Sequence, residues 1–126
     1  MRSQGEGIGP GVSLGVMWSL WHLPVIDYLG TASPHGVYLL PFPFAFALAM
    51  TAMRVLIALV YTRTNSVFLA QLMHVSSTGS LVVFGAWLAD AAQETVWYAL
   101  YGLGLWLVTL IFRKTIARRR FRREPD

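Results

Sequence analysis

Cysteine is absent from the 126 residues. This excludes disulfides and thiolate metal sites and leaves the redox compartment open. Charge is scarce too. Asp, Glu, Lys and Arg make up 13% of the chain, against about 25% in a soluble domain, too little to cover a globular surface in water. The 6 acidic residues all fall outside the long apolar runs, so no carboxylate is expected at membrane depth. Internal repeats and low-complexity segments are lacking as well.

What the chain has instead is apolar length. Hydrophobic residues make up 56% of it, and the mean hydropathy is +0.54. Four apolar stretches run over about 8–26, 37–61, 66–89 and 95–112. Each is close to the ~17–25 residues that cross a hydrocarbon core. An open-ended segment can satisfy its own backbone there only as a helix. The expected fold is therefore all-α, a polytopic transmembrane bundle of about four spans. It divides into a transmembrane domain over 1–112 and a basic tail over 113–126. The Asp, Gly, Ser and Pro of 27–34 suit a turn. Residues 62–65 read as a short polar link, and 90–94 as a short acidic loop with Asp90 and Glu94 in water.

The net charge of +4 raises nucleic acid as a partner, but the placement of the charge argues for lipid. Seven of the 10 basic residues lie in 113–123, beyond the last apolar run. A basic cluster in that place suits a cytoplasmic flank facing anionic head groups. No nucleic-acid partner is expected. With four spans, Arg2 and Arg63 fall on the same side as this cluster, and the 27–35 and 90–94 loops, which contain no Lys or Arg, fall on the other. The bias predicts an integral membrane protein, in the plasma membrane, with both termini cytoplasmic. A cleaved signal peptide competes for the first stretch, with Gly30-Thr31-Ala32 as its small-residue site. Its weak basic n-region and the presence of His22 and Pro24 inside the leader speak against it.

Small residues mark where helices can approach. Gly11 and Gly15 form a GxxxG spacing, and Ala45 and Ala49 a small-xxx-small pair.

Three residues sit where a bilayer disfavours them. His22 lies in Trp18-Ser19-Leu20-Trp21-His22-Leu23-Pro24. Trp18 and His22 share a helix face, and Pro24 is expected to kink or end the helix. An interfacial belt position is the plain reading of this His. His74 lies well inside the third stretch, with Gln71, Ser77 and Thr78 near its face. An ionisable residue at such depth is a functional candidate, and Thr78, four residues on, can point at the same site. The plain reading there is a neutral His bonded within the bundle. Arg54 interrupts the second stretch. It is expected to snorkel to the cytoplasmic interface, or else to orient an acidic group in a site. His35 reads as an exposed loop residue.

The segments around these histidines resemble a known family. Gly15-Val16-Met17-Trp18-Ser19-Leu20-Trp21-His22-Leu23-Pro24 is similar to the second motif of the CPBP intramembrane proteases, the CAAX-protease and bacteriocin-processing (Abi) family. There an aromatic residue stands four before a His that Leu-Pro often follows. Arg54-Val55-Leu56, then Tyr61-Thr62-Arg63-Thr64-Asn65-Ser66, then Ala70-Gln71-Leu72-Met73-His74, resembles the approach to the third motif. The likeness covers about 11–83.

The resemblance implies an intramembrane metallo-endopeptidase that hydrolyses peptide bonds at the membrane. It implies a protein or peptide substrate, prenylated or leader-bearing. His22, His74 and Thr78 would be its catalytic residues, with His22 and His74 as ligands of a divalent metal such as zinc. Two departures stand out. Thr78 occupies the place of the family's Asn and offers a hydroxyl in place of an amide. The family's Glu-Glu motif would lie upstream of 8–15, and Glu6, alone between two glycines, does not match it. A zinc hydrolase site also takes three protein ligands and water, so two histidines leave it one short. The chain therefore reads as the C-terminal part of such a protease, in truncated form. One alternative is a non-catalytic membrane protein, such as a bacteriocin-immunity or scaffold subunit. Another is a bis-histidine haem protein with His22 and His74 as axial ligands.

Overall fold

The computed structural model describes residues 8–29, 36–85 and 90–121. These form four α-helices: α1 (Ile8–Leu29), α2 (Pro41–Thr64), α3 (Val67–Gly85) and α4 (Ala91–Phe121). A single 3₁₀ turn, Gly36–Tyr38, precedes α2. The described residues contain no strand. The protein is an all-α bundle, as its apolar stretches require.

Local chemistry sets the helix ends. Pro41 opens α2 at a position where a missing N–H costs nothing. Asn65 ends it in the left-handed region, with φ 48°, and its N–H donates to the Tyr61 carbonyl at 2.8 Å. Asparagine tolerates that conformation better than most side chains. One residue later Ser66 caps α3, its hydroxyl accepting from the Leu69 N–H at 3.3 Å. Asp90 does the same for α4, accepting from the Gln93 N–H at 2.8 Å.

Three helical segments are long and apolar enough to cross a membrane: Pro41–Thr64, Val67–Gly85 and Ala91–Thr115. α1 has the length, at 22 residues, but its glycines, prolines, tryptophans and histidine dilute its hydropathy. Large apolar side chains face outward on all four helices, among them Leu14, Phe44, Phe68 and Leu103. Such a surface suits acyl chains and not water.

α2 is the centre. α1, α3 and α4 all pack on it, and the core consists of its own Phe42, Phe46, Ala49, Met50 and Met53. α1 runs antiparallel to α2, because Gly11 sits against Val55 and Gly15 against Thr51. α4 runs parallel to α2, because Phe42 meets Tyr98 while Ala49 meets Gly102. α3 lies more loosely, with no fully buried residue. Ser77 and Tyr101 tie it to α4 through a bond between their hydroxyls, and Phe84 packs on Trp97.

The tight contacts use residues with little or no side chain. A Cβ at Gly15 would lie 2.6 Å from the Thr51 Cα, and one at Gly102 2.9 Å from the Ala49 nitrogen. Both neighbours are backbone and cannot swing aside. The GxxxG spacing on α1 thus does what its pattern suggests, and Ala49 of the small pair on α2 does so against Gly102. Gly102 is a partner that no spacing on α4 announced.

Several boundaries differ from the sequence reading. α1 does not end at Pro24 but continues to Leu29, so it takes in part of the expected turn. Residues 62–64 belong to α2 and are not a link, because Asn65 alone supplies the stop. Of the acidic loop at 90–94, only Asp90 lies outside the helix; Glu94 is in the first turn of α4, where the positive end of the helix dipole favours an acid. The basic tail starts as an extension of α4, helical to Phe121, consistent with Lys and Arg being good helix formers.

Adding one methyl at Gly15 or Gly102 should force α2 away from its neighbour. We expect Gly15→Ala and Gly102→Ala each to cost about 1–3 kcal/mol, read as a lower unfolding midpoint in detergent. Gly104, whose added Cβ meets nothing within 4 Å, should accept alanine with no loss.

Candidate functional site

A cavity of about 490 Å³ opens between the four helices. It lies within the ~300–1,000 Å³ range of small-molecule sites. α1 contributes Trp18 and His22, and α2 contributes Phe46, Met50 and Met53. α3 supplies His74 and Thr78, and α4 supplies Glu94, Trp97 and Tyr98. The three expected site residues, His22, His74 and Thr78, therefore line one space although 52 positions separate the two histidines.

The helix register explains how. Trp18 and His22 are one turn apart on α1, and His74 and Thr78 one turn apart on α3. Each pair projects from one face. α2 packs against both of the helices that carry them, and its Phe46, Met50 and Met53 form the wall of the space that both pairs line.

His22 is held at two points. Its Nδ1 lies 2.8 Å from the Trp18 carbonyl oxygen. A carbonyl only accepts, so Nδ1 carries the hydrogen, and in the neutral ring Nε2 keeps the lone pair. Its ring also packs on Trp18, with centroids 5.1 Å apart, and on Phe46 at 6.1 Å. The plain reading of His22 as a belt residue is thus incomplete, since it is partly buried and faces the cavity.

His74 is partly buried, and its Nδ1 is enclosed without a hydrogen-bond partner. This departs from the expectation of a histidine satisfied within the bundle. Thr78 is more exposed than His74, and its hydroxyl is uncommitted. The hydroxyls of Ser13, Ser19, Thr95 and Thr109 each donate to the carbonyl four residues back. The Thr78 hydroxyl has no partner among the described residues and lines the cavity. Ser77 turns away to Tyr101, and Gln71 is exposed outside the site.

Arg54 does not behave as a snorkelling residue. It lies ten positions before the end of α2 at Thr64, about 15 Å along the axis at 1.5 Å per residue. Its guanidinium carbon stands 4.1 Å from the centroid of the Trp18 ring. A cation over an indole face is a favourable substitute for water, worth ~2 kcal/mol when desolvated. Arg54 thus packs on the ring that His22 leans on, and its buried Nε has no hydrogen-bond partner.

Glu94 is the residue that sequence reasoning missed. Its carboxylate reads as a solvated loop group, but the helix starts at Ala91 and turns Glu94 into the cavity, partly buried. The signal was present in Asp90, a good cap three residues before Gln93. A cap there places Glu94 on the first turn.

These donors do not add up to a metal centre. Among the described residues no three His, Asp or Glu side chains stand close enough to hold an ion. The two imidazoles fall one ligand short of a hydrolytic zinc site, and no step is derived through a metal. His35 lies outside the described residues. No family model, curated protein or solved structure matches the chain, so the site rests on its geometry.

If the Arg54–Trp18 stack shapes the α1 wall, the two side chains should be energetically coupled. A double-mutant cycle with Arg54→Met and Trp18→Leu, followed by unfolding in detergent, should return a coupling of about 0.5–2 kcal/mol. Simple additivity would mean that the contact carries no energy.

Proposed function

We propose that this chain is an intramembrane endopeptidase of the CPBP type, or the portion of one that carries its histidines. The supporting observation is that His22 and His74, from separate helices, line one cavity among apolar walls. The sequence resemblance selected the same two residues on other grounds.

The chemistry follows from the groups present. His22 presents Nε2 as a base, because its Nδ1–H is committed to the Trp18 carbonyl. Water losing a proton to Nε2 attacks the carbonyl carbon of a peptide bond. The negative charge that develops on oxygen needs positioned donors, and the Thr78 hydroxyl and a ring N–H of His74 are the candidates. The imidazolium at His22 then returns its proton to the leaving amine as the C–N bond breaks. Glu94, the one carboxylate lining the same space among the described residues, would favour that imidazolium.

The family resemblance implies a divalent metal instead of that proton relay; His22 and His74 would hold it and it would supply Lewis-acid chemistry, but the described residues do not complete its ligand set. A third ligand would have to come from outside the described residues. In this reading the bundle lies in the plasma membrane with both termini cytoplasmic, and the substrate is a prenylated or leader-bearing peptide brought to the lipid surface.

A second reading is a non-catalytic membrane subunit of the immunity or scaffold kind. The incomplete ligand set favours it.

The full chain in liposomes with a membrane-tethered peptide reporter separates the two. Under the protease reading the reporter is cleaved, and His22→Ala and His74→Ala each lower the rate by about 10²–10⁴-fold, as expected for losing an acid–base group. A wild-type rate equal to that of both variants would discard the protease and leave the scaffold.

A further inference from the structure

The cavity has a chemical bias that hydrolysis does not use. At the end where α4 begins, its walls are aromatic, and the carboxylate among the described lining residues is Glu94. Phe46 and Tyr98 pack with centroids 5.4 Å apart, and Phe42 closes on Tyr98 edge-on at 5.5 Å. Trp97, next to Tyr98 on α4, also lines the space. Its ring is fixed from two sides, stacked on Tyr101 and tilted against Phe84 of α3, each with centroids 6.4 Å apart.

Glu94 stands one turn before Tyr98 on α4 and lines the same space. Among the described residues it has no ion-pair partner. Arg54 of α2 is committed to the Trp18 ring. It is not among the residues that line the cavity, whereas Glu94 is.

We infer that this end of the cavity is a binding site for an organic cation, an amine or quaternary ammonium with an apolar body. Aromatic faces carry negative charge density and attract such cations more strongly where water is excluded. A carboxylate among them supplies the counter-charge that a cation leaving water requires. A cavity of about 490 Å³ admits a ligand of that kind, whereas an anion would meet Glu94 and a row of ring faces. The inference does not depend on the protease reading, because it concerns binding and not turnover.

The full chain in lipid nanodiscs, with empty discs subtracted, tests it with two probes of matched shape and opposite charge. Tetraphenylphosphonium should bind saturably, at one per chain, and tetraphenylborate should not. Glu94→Gln should weaken tetraphenylphosphonium binding by about tenfold or more, equivalent to ~1.4 kcal/mol, and Glu94→Asp should retain most of it. Equal binding of the two probes, or none above empty discs, overturns the proposal. So does an unchanged affinity in a folded Glu94→Gln protein. If that variant does not fold, the comparison of the two probes on the wild-type chain decides alone.

Discussion

The bundle depends on how closely α1 and α4 approach α2. In lipid, apolar surface gains little by meeting other apolar surface, so helices associate through close packing and polar contacts. Gly15 against Thr51 and Gly102 against Ala49 bring backbone to backbone on two sides of α2. With those contacts made, the longer side chains above and below them have to interdigitate or leave a gap. Phe42, Phe46, Met50 and Met53 fill one part. The cavity is the part left open, where α3 lies loosely and buries no residue completely.

Polar groups in this bundle divide into two kinds. Among the described residues six serine and threonine hydroxyls donate to the carbonyl four residues back and two more to the carbonyl three back, and so cost little in lipid. Others do not close on their own helix. His74 keeps an unpartnered, enclosed Nδ1, Thr78 has no partner among the described residues, and the partly buried Glu94 has no counter-ion there. All three face the same space. Leaving a buried polar atom unpaired costs free energy, and the enclosed His74 Nδ1 and Trp97 Nε1 belong to residues that line the cavity, so a polar ligand there would relieve that cost. Arg54 shows the opposite solution, with an aromatic face taking the place of water.

The helical character and the rough limits of each helix were legible because apolar runs of membrane length have only one way to satisfy their backbones. The two histidines were legible because ionisable groups at that depth are conspicuous. Arg54 was equally conspicuous but its destination was not, since nothing local distinguishes reaching for an interface from lying on a ring of another helix. Glu94 was misplaced for a local reason. Whether 90–94 is loop or first turn hangs on one cap, Asp90 to the Gln93 N–H, and a boundary shift of a few residues carries a side chain from water into the site.

By itself, the amino-acid order determined that this chain forms long apolar helices, roughly where they break, and which few polar residues each must accommodate. Those are properties of single segments, set by backbone satisfaction and hydropathy. Only the tertiary structure decided that His22, His74, Thr78 and Glu94 share a cavity, that Arg54 rests on Trp18, and that Gly102 meets Ala49. Each of these depends on the rotation of one helix against another. In lipid that rotation follows from the fit of small residues across an interface, a property that no single segment contains.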